Sequence, residues 1–176
     1  MTFTVLASLA LVGTSLAADA PGKGARELAG YLGFKSMSSR GASASGYSLD
    51  LEYGFYLTPN WEVVPGVGIG SVSRDGRSAN DHEGLVSAVY NFPRNGDWLP
   101  YARAGLGFGR TEFTGSSIGF MTLPQIAVGA RYVKWPTAAL NGCLYYDFTE
   151  LSVKAGNASA NTIGLRAGVS WFPKGF

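Results

Sequence analysis

After its first twenty residues the chain alternates apolar with polar or small side chains in stretches of about ten to twelve positions, and breaks rich in Gly, Ser, Asn, Asp or Pro separate the stretches. A period of two puts successive side chains on opposite faces of a β-strand. The pattern predicts eight strands, over residues 26–38, 46–58, 61–73, 82–93, 98–112, 118–134, 139–152 and 160–172. Short breaks fall at 58–60, 93–97 and 134–137, and longer polar ones at 38–45, 73–81, 114–117 and 153–161. The two kinds alternate along the chain. In an antiparallel up-and-down arrangement all the longer connections therefore gather at one end, with both termini at the other.

The two faces of each strand differ in chemistry. Ile163, Leu165, Ala167, Val169 and Trp171 share one face of the last strand, against Thr162, Gly164, Arg166, Gly168 and Ser170. The second strand sets Leu49, Leu51, Tyr53, Phe55 and Leu57 against Ser48, Asp50, Glu52, Gly54 and Tyr56. Pro124, Ile126, Val128, Ala130 and Tyr132 oppose Gln125, Ala127, Gly129 and Arg131 in the sixth, and Ala102, Ala104, Leu106 and Phe108 oppose Arg103, Gly105, Gly107 and Gly109 in the fifth. The polar faces collect Glu27, Lys35, Asp50, Glu52, Arg103, Arg131, Asp147 and Arg166, a mixed-sign set. Each arginine facing lipid at mid-bilayer would cost about 2–4 kcal/mol. Turned inward, they can pair with the carboxylates. The expected fold is all-β, an eight-stranded antiparallel up-and-down transmembrane β-barrel, too narrow to leave a channel once side chains fill it.

Composition agrees with a membrane solvent. Charged residues make up 15% of the chain, below the ~25% of soluble domains, and Gly accounts for 25 of 176 residues. No later stretch is apolar enough for a transmembrane helix, which leaves a barrel as the way to span. At the start, an apolar run from Phe3 to Val12 is followed by Ser15-Leu16-Ala17, the pattern of a secretory signal peptide over 1–17, cut near Ala17 or Ala18, with 18–176 as the barrel domain. The formal net charge of +2, with scattered Lys and Arg, argues against a nucleic-acid partner. Cys143 is the single cysteine, so neither an intramolecular disulfide nor a Cys-pair metal site can form.

Aromatic residues are placed unevenly. Tyr53, Phe55, Trp61, Tyr90, Phe92, Trp98, Tyr132, Trp135, Trp171 and Phe172 lie near the short-turn ends of the strands, where an interfacial girdle is expected.

Several segments resemble the small outer-membrane β-barrel group, the OmpA-like and OmpX-like eight-stranded barrels. Leu99-Pro100-Tyr101-Ala102-Arg103-Ala104-Gly105-Leu106-Gly107-Phe108-Gly109 is similar to a Pro-Tyr strand with alternating Gly in that group. Gln125-Ile126-Ala127-Val128-Gly129-Ala130-Arg131-Tyr132 and Tyr145-Tyr146-Asp147-Phe148 resemble the strands that follow it. The resemblance implies a bacterial outer-membrane location. It also implies that Arg166, Gly168, Trp171 and the terminal Phe176 form a C-terminal signal read by the barrel-assembly machinery, although Pro173-Lys174-Gly175 departs from the usual ending.

Candidate chemistry is sparse. His82, in Asn80-Asp81-His82-Glu83-Gly84, is the only histidine. The lipid A deacylase type of barrel carries a Ser two residues from its His, and position 84 here is Gly. Asp81, His82 and Glu83 are sequence neighbours and cannot all face one metal ion, and Gly105-Leu106-Gly107-Phe108-Gly109 alternates within a strand instead of opening a helix as a phosphate loop would. No catalytic residue, cofactor or metal is expected. Arg40, Arg74, Asp75, Arg77 and Lys154 are loop charges able to meet lipopolysaccharide. The sequence thus points to a monomeric, non-enzymatic barrel acting through its longer loops, with Asp50, Glu52, Arg103, Arg131, Asp147 and Arg166 as an inward polar cluster. Three alternatives remain: a lipid A-modifying enzyme using His82, a narrow pore for small solutes, and a soluble periplasmic barrel.

Overall fold

The computed structural model describes residues 21–39, 42–74, 76–113, 116–153 and 156–173. The predicted signal peptide, Arg40, Asp75, Lys154 and Phe176 lie outside them. Its strands are β1 (Arg26–Ser39), β2 (Ala42–Tyr56), β3 (Trp61–Arg74), β4 (Arg77–Asn91), β5 (Trp98–Phe113), β6 (Ser116–Trp135), β7 (Ala138–Val153) and β8 (Gly156–Trp171). Each pairs antiparallel with its neighbours in sequence, and β8 closes on β1, giving a closed barrel. Closure leaves no unpaired strand edge, the condition for a sheet to sit in hydrocarbon.

The strands begin and end close to expectation at one end of the barrel and not at the other. Segments 38–45, 73–81, 114–117 and 153–161, expected as longer loops, are instead mostly strand, and only two residues separate β1 from β2, β3 from β4, β5 from β6 and β7 from β8. The ladders run to the tips, with Ser39 opposite Ala42 and Arg74 opposite Arg77. Ser, Ala, Asn and Gly suggest a loop by composition, but they accept an extended backbone when both neighbours pair with it. Gly76, at φ 75°, supplies the left-handed residue that the β3–β4 turn needs. The longer connections are 57–60 and 92–97, at the end that carries the termini.

Outward positions form an apolar band. From Trp61 to Ile69 on β3, and from Ile163 to Trp171 on β8, alternate residues point outward for nine positions, which matches the ~9–11 residues of a tilted membrane-spanning strand. All four Trp lie on this outer face at the terminal end, about half exposed. Trp61 meets Tyr90 and Trp98 meets Tyr132 in ring contacts at 5.0 Å. Phe172 departs from the expected girdle. It is fully buried and points into the barrel, where it packs with Tyr56, Leu99, Val133 and Ala139 as an apolar cap over the terminal end.

Towards the hairpin end the polarity of the wall inverts. Beyond Ile69 the outward residues of β3 are Ser71 and Ser73; across from them stand Ser45, Tyr47, Ser78 and Asn80. The inward ones are Met37, Ala44, Val72, Ala79, Ile118, Phe120 and Leu151. Part of this arrangement comes from a β-bulge in β6. The register shifts between Thr122 and Gln125, so Leu123 and Pro124 both face outward. The bulge exchanges the faces of everything above it and turns Phe120 and Ile118 inward.

Candidate functional site

The barrel interior is built in tiers on the inward positions. Next to the apolar cap, Arg131 of β6 lies between Glu27 of β1 and Glu62 of β3, with nitrogen–oxygen distances of 2.9 Å to each. Its Nε also donates to Glu27 Oε1 at 3.1 Å and its Nη1 to Asn91 Oδ1 at 2.6 Å. The Tyr56 hydroxyl and the Ser170 hydroxyl donate to Glu27, and the guanidinium stacks on the Tyr101 ring, 4.7 Å from its centroid. Such a group has nearly all its donors met, which is what lets a charge persist away from water.

Above a thin apolar layer of Val64, Val89, Tyr101 and Cys143 lies a second tier. Arg103 Nη1 donates to Glu52 Oε2 at 2.8 Å and its Nε to Ser87 Oγ at 2.9 Å. Arg166 spans Asp50, at 3.3 Å, and Glu52, at 3.6 Å, and stacks on Tyr145, 4.4 Å from the ring centroid. The residues of the inward cluster are therefore divided. Asp50, Glu52, Arg103 and Arg166 share one network, whereas Arg131 belongs to a separate one with Glu27 and Glu62. Glu62 was not singled out in the sequence because Val63-Val64-Pro65 blurs the alternation of β3. Asp147 joins neither: its Oδ1 is buried without a hydrogen-bond partner.

Three cavities between and around these tiers measure about 10, 10 and 20 Å³. A void of that size holds one water molecule at most. At the hairpin end, in contrast, the barrel opens into a cup of about 940 Å³. Its floor carries Lys35, Asp81, Glu83, Asp147 and the hydroxyls of Thr111, Thr122, Thr149 and Thr162; its wall is the apolar inner face of the collar; Arg74 and Arg77 stand at its mouth. Lys35 Nζ donates to Asp81, and Thr111 donates to the other oxygen of that carboxylate at 3.1 Å. Sequence reasoning missed this cup, since the residues above it had been read as loop.

His82 points away from all of this. It is exposed on the outer face of β4, opposite Ile69 and Arg110, with its Nε2 4.0 Å from Glu112 Oε2. Asp81 and Glu83 face the interior on either side of it, so the three do not converge, and no group of His, Cys, Asp and Glu among the described residues is arranged to hold a metal ion. In the C-terminal segment, Arg166 is committed to the interior network, and Trp171 lies on the outer face opposite Leu28. Gly168 lies at the β1–β8 seam, where a Cβ would overlap the Gly30 carbonyl oxygen and meet the Tyr31 ring at 2.8 Å.

Solved structures with the same architecture are small outer-membrane barrels. Neisserial surface protein A superposes with a TM-score of 0.65 at 18% identity, covering 83% of this chain and 96% of that one. The outer membrane protein OprG from Pseudomonas aeruginosa gives 0.57 at 12% identity over 86% and 97%, and AlkL, solved in lipid bilayers, gives 0.53 at 17% over 93% and 97%. No curated protein sequence matches the chain. The family profile for the outer membrane protein β-barrel domain matches residues 3–171, nearly the whole sequence. With the closed barrel, the lipid-facing band and the buried ionic interior, this match makes the chain a member of the outer membrane protein β-barrel domain family, a protein of the bacterial outer membrane.

Proposed function

We propose that this protein is a non-conducting, non-enzymatic barrel that acts at the cell surface through the rigid collar at its hairpin end. The observation that carries this reading is the packed interior. Two tiers of arginine–carboxylate pairs and an apolar cap fill the barrel below the cup, and the cavities among the described residues there hold about one water each. An ion crossing it would have to break buried pairs, each break costing about 3–5 kcal/mol. In planar lipid bilayers the wild-type protein is expected to show no steady conductance. A stable ohmic current from the unmodified protein would move the assignment to the small-solute pore.

Orientation follows from how a chain enters the membrane from the periplasm. An even strand number keeps both termini on the side of insertion, and two-residue hairpins are the cheapest segments to carry across. The collar then stands outside the cell. Its outward Ser71, Ser73, Ser78, Asn80, Arg110 and Glu112 reach the polar zone of lipopolysaccharide, whose sugars and phosphates accept hydrogen bonds and charge. We assign the lipid and lipopolysaccharide of the outer membrane as its surroundings, the barrel-assembly machinery as its insertion partner, and a monomer as its working state.

The placement of His82 supports the non-enzymatic reading. A histidine base needs a nucleophile and an orienting group within hydrogen-bond reach. The neighbours of His82 across the sheet are Ile69 and Arg110. His82→Ala is expected to leave lipid A acylation in cells unchanged by mass spectrometry. Altered acylation with a properly inserted variant would restore the lipid-modifying alternative.

A further inference from the structure

The tiers of the interior differ in charge balance. In the middle tier two arginines face two carboxylates. On the floor of the cup stand three carboxylates, Asp81, Glu83 and Asp147, and one cation, Lys35, which is committed to Asp81; Arg166 of the tier below also faces Glu83 and Asp147 but is paired with Asp50 and Glu52. Glu83 accepts a hydrogen bond from Thr122 at 3.2 Å, and Asp147, 7% exposed, has a buried Oδ1 with no hydrogen-bond partner. Among the described residues, neither carboxylate has a cationic side chain within 4.0 Å. Arg77 is too far to serve: it is six residues above Glu83 on β4, about 20 Å at ~3.3 Å per residue. A buried carboxylate without a partner is costly, and an arriving cation relieves that cost.

The space above this floor is the 940 Å³ cup, and its wall is apolar on the inside although it stands clear of the lipid-facing band. Apolar surface turned towards a water-filled mouth is what an apolar ligand would cover. Floor and wall together specify a molecule with two ends. We propose that the cup binds a single-chain amphiphile with a positively charged amine head, its ammonium seated between Glu83 and Asp147 and its chain lying along Met37, Val72, Ala79, Phe120 and Leu151. A carboxylate or sulfate head would meet two like charges on the same floor.

The reporters for a test are already in the chain. Met37 lines the cup, whereas Met121 faces outward from β6 onto the lipid side. With ¹³C-methyl methionine and the full protein in zwitterionic lipid nanodiscs, octylammonium is expected to shift the Met37 methyl saturably and to leave Met121 without a saturable response. Octanoate, with a chain of the same length, is expected to bind at least about tenfold more weakly. In the Glu83→Gln, Asp147→Asn double variant the two probes should fall within about twofold of each other. Ala79→Phe, which fills the cup without touching the carboxylates, should abolish the Met37 response to both; it serves as the control if the double variant fails to fold. The proposal is overturned if Met37 shows no saturable response to octylammonium, if wild type binds octanoate as tightly, or if the double variant keeps the wild-type preference.

Discussion

Replacing Arg131 by alanine is expected to remove about 3–5 kcal/mol of folding stability, the usual cost of stripping one partner from a buried ion pair. Two carboxylates depend on that guanidinium, Glu27 and Glu62, and both are almost fully buried. Truncation would leave two carboxylates facing each other across a space capped by Tyr56 and Phe172. Urea unfolding from lipid vesicles, followed by tryptophan fluorescence, measures the loss directly, because all four Trp lie on the outer face at the same end as this tier. Adding Glu27→Gln and Glu62→Gln to the Arg131→Ala chain should recover a substantial part of the stability. Failure of that rescue would mean that the packing of the arginine side chain, not its charge, is what the barrel loses.

The second large effect is expected at the seam. Gly168→Val should prevent β8 from closing on β1, since any side chain there overlaps the backbone of Gly30 and pushes on the Tyr31 ring. Overpacking in a relaxed core costs about 1–3 kcal/mol, and a clash with backbone falls at or above the top of that range. The readout is electrophoretic mobility of boiled against unboiled protein: wild type is expected to migrate fast when unboiled, and the variant to lose that compact band. Gly168 also belongs to the C-terminal segment that resembles an assembly signal. Refolding of the purified chain into vesicles, without any assembly machinery, separates the two roles. A variant that refolds normally there but fails in cells would point to recognition rather than to closure.

Much of the architecture was legible because its signal is repeated. Each strand contributes several alternating pairs, and charges such as Arg103, Arg131 and Arg166 are too expensive in lipid for the inward face to be in doubt. The division of the polar cluster into tiers was not legible, because the alternation says which face a residue takes and not which neighbour it reaches. Asp147 shows this well: the alternation gives its face, while its lack of an ion pair with any arginine within 4.0 Å depends on height along the barrel. The cup was hidden for two further reasons. Ser- and Ala-rich tips such as Ser38–Ser39 and Ala42–Ser45 have the composition of loops, and only their ladder partners make them strand. In β6, the bulge at Leu123-Pro124 breaks the period, so an alternation carried upward from Gln125 would place Phe120 and Ile118 on the lipid side instead of inside. Phe172 is the remaining lesson, since an aromatic at the membrane edge and one that caps the interior look alike in sequence.

The cup and its collar require a barrel wall that leaves the membrane just beyond Ile69 and continues in water. Nitroxide labels placed on a Cys143→Ala background at Val67, Ile69, Ser71 and Ser73, the outward positions of β3, test this in lipid vesicles by their accessibility to oxygen and to a water-soluble nickel complex. The expected result is preferential oxygen access at Val67 and Ile69 and preferential nickel access at Ser71 and Ser73. Continued oxygen preference through Ser73 would place the collar inside the bilayer and contradict the account.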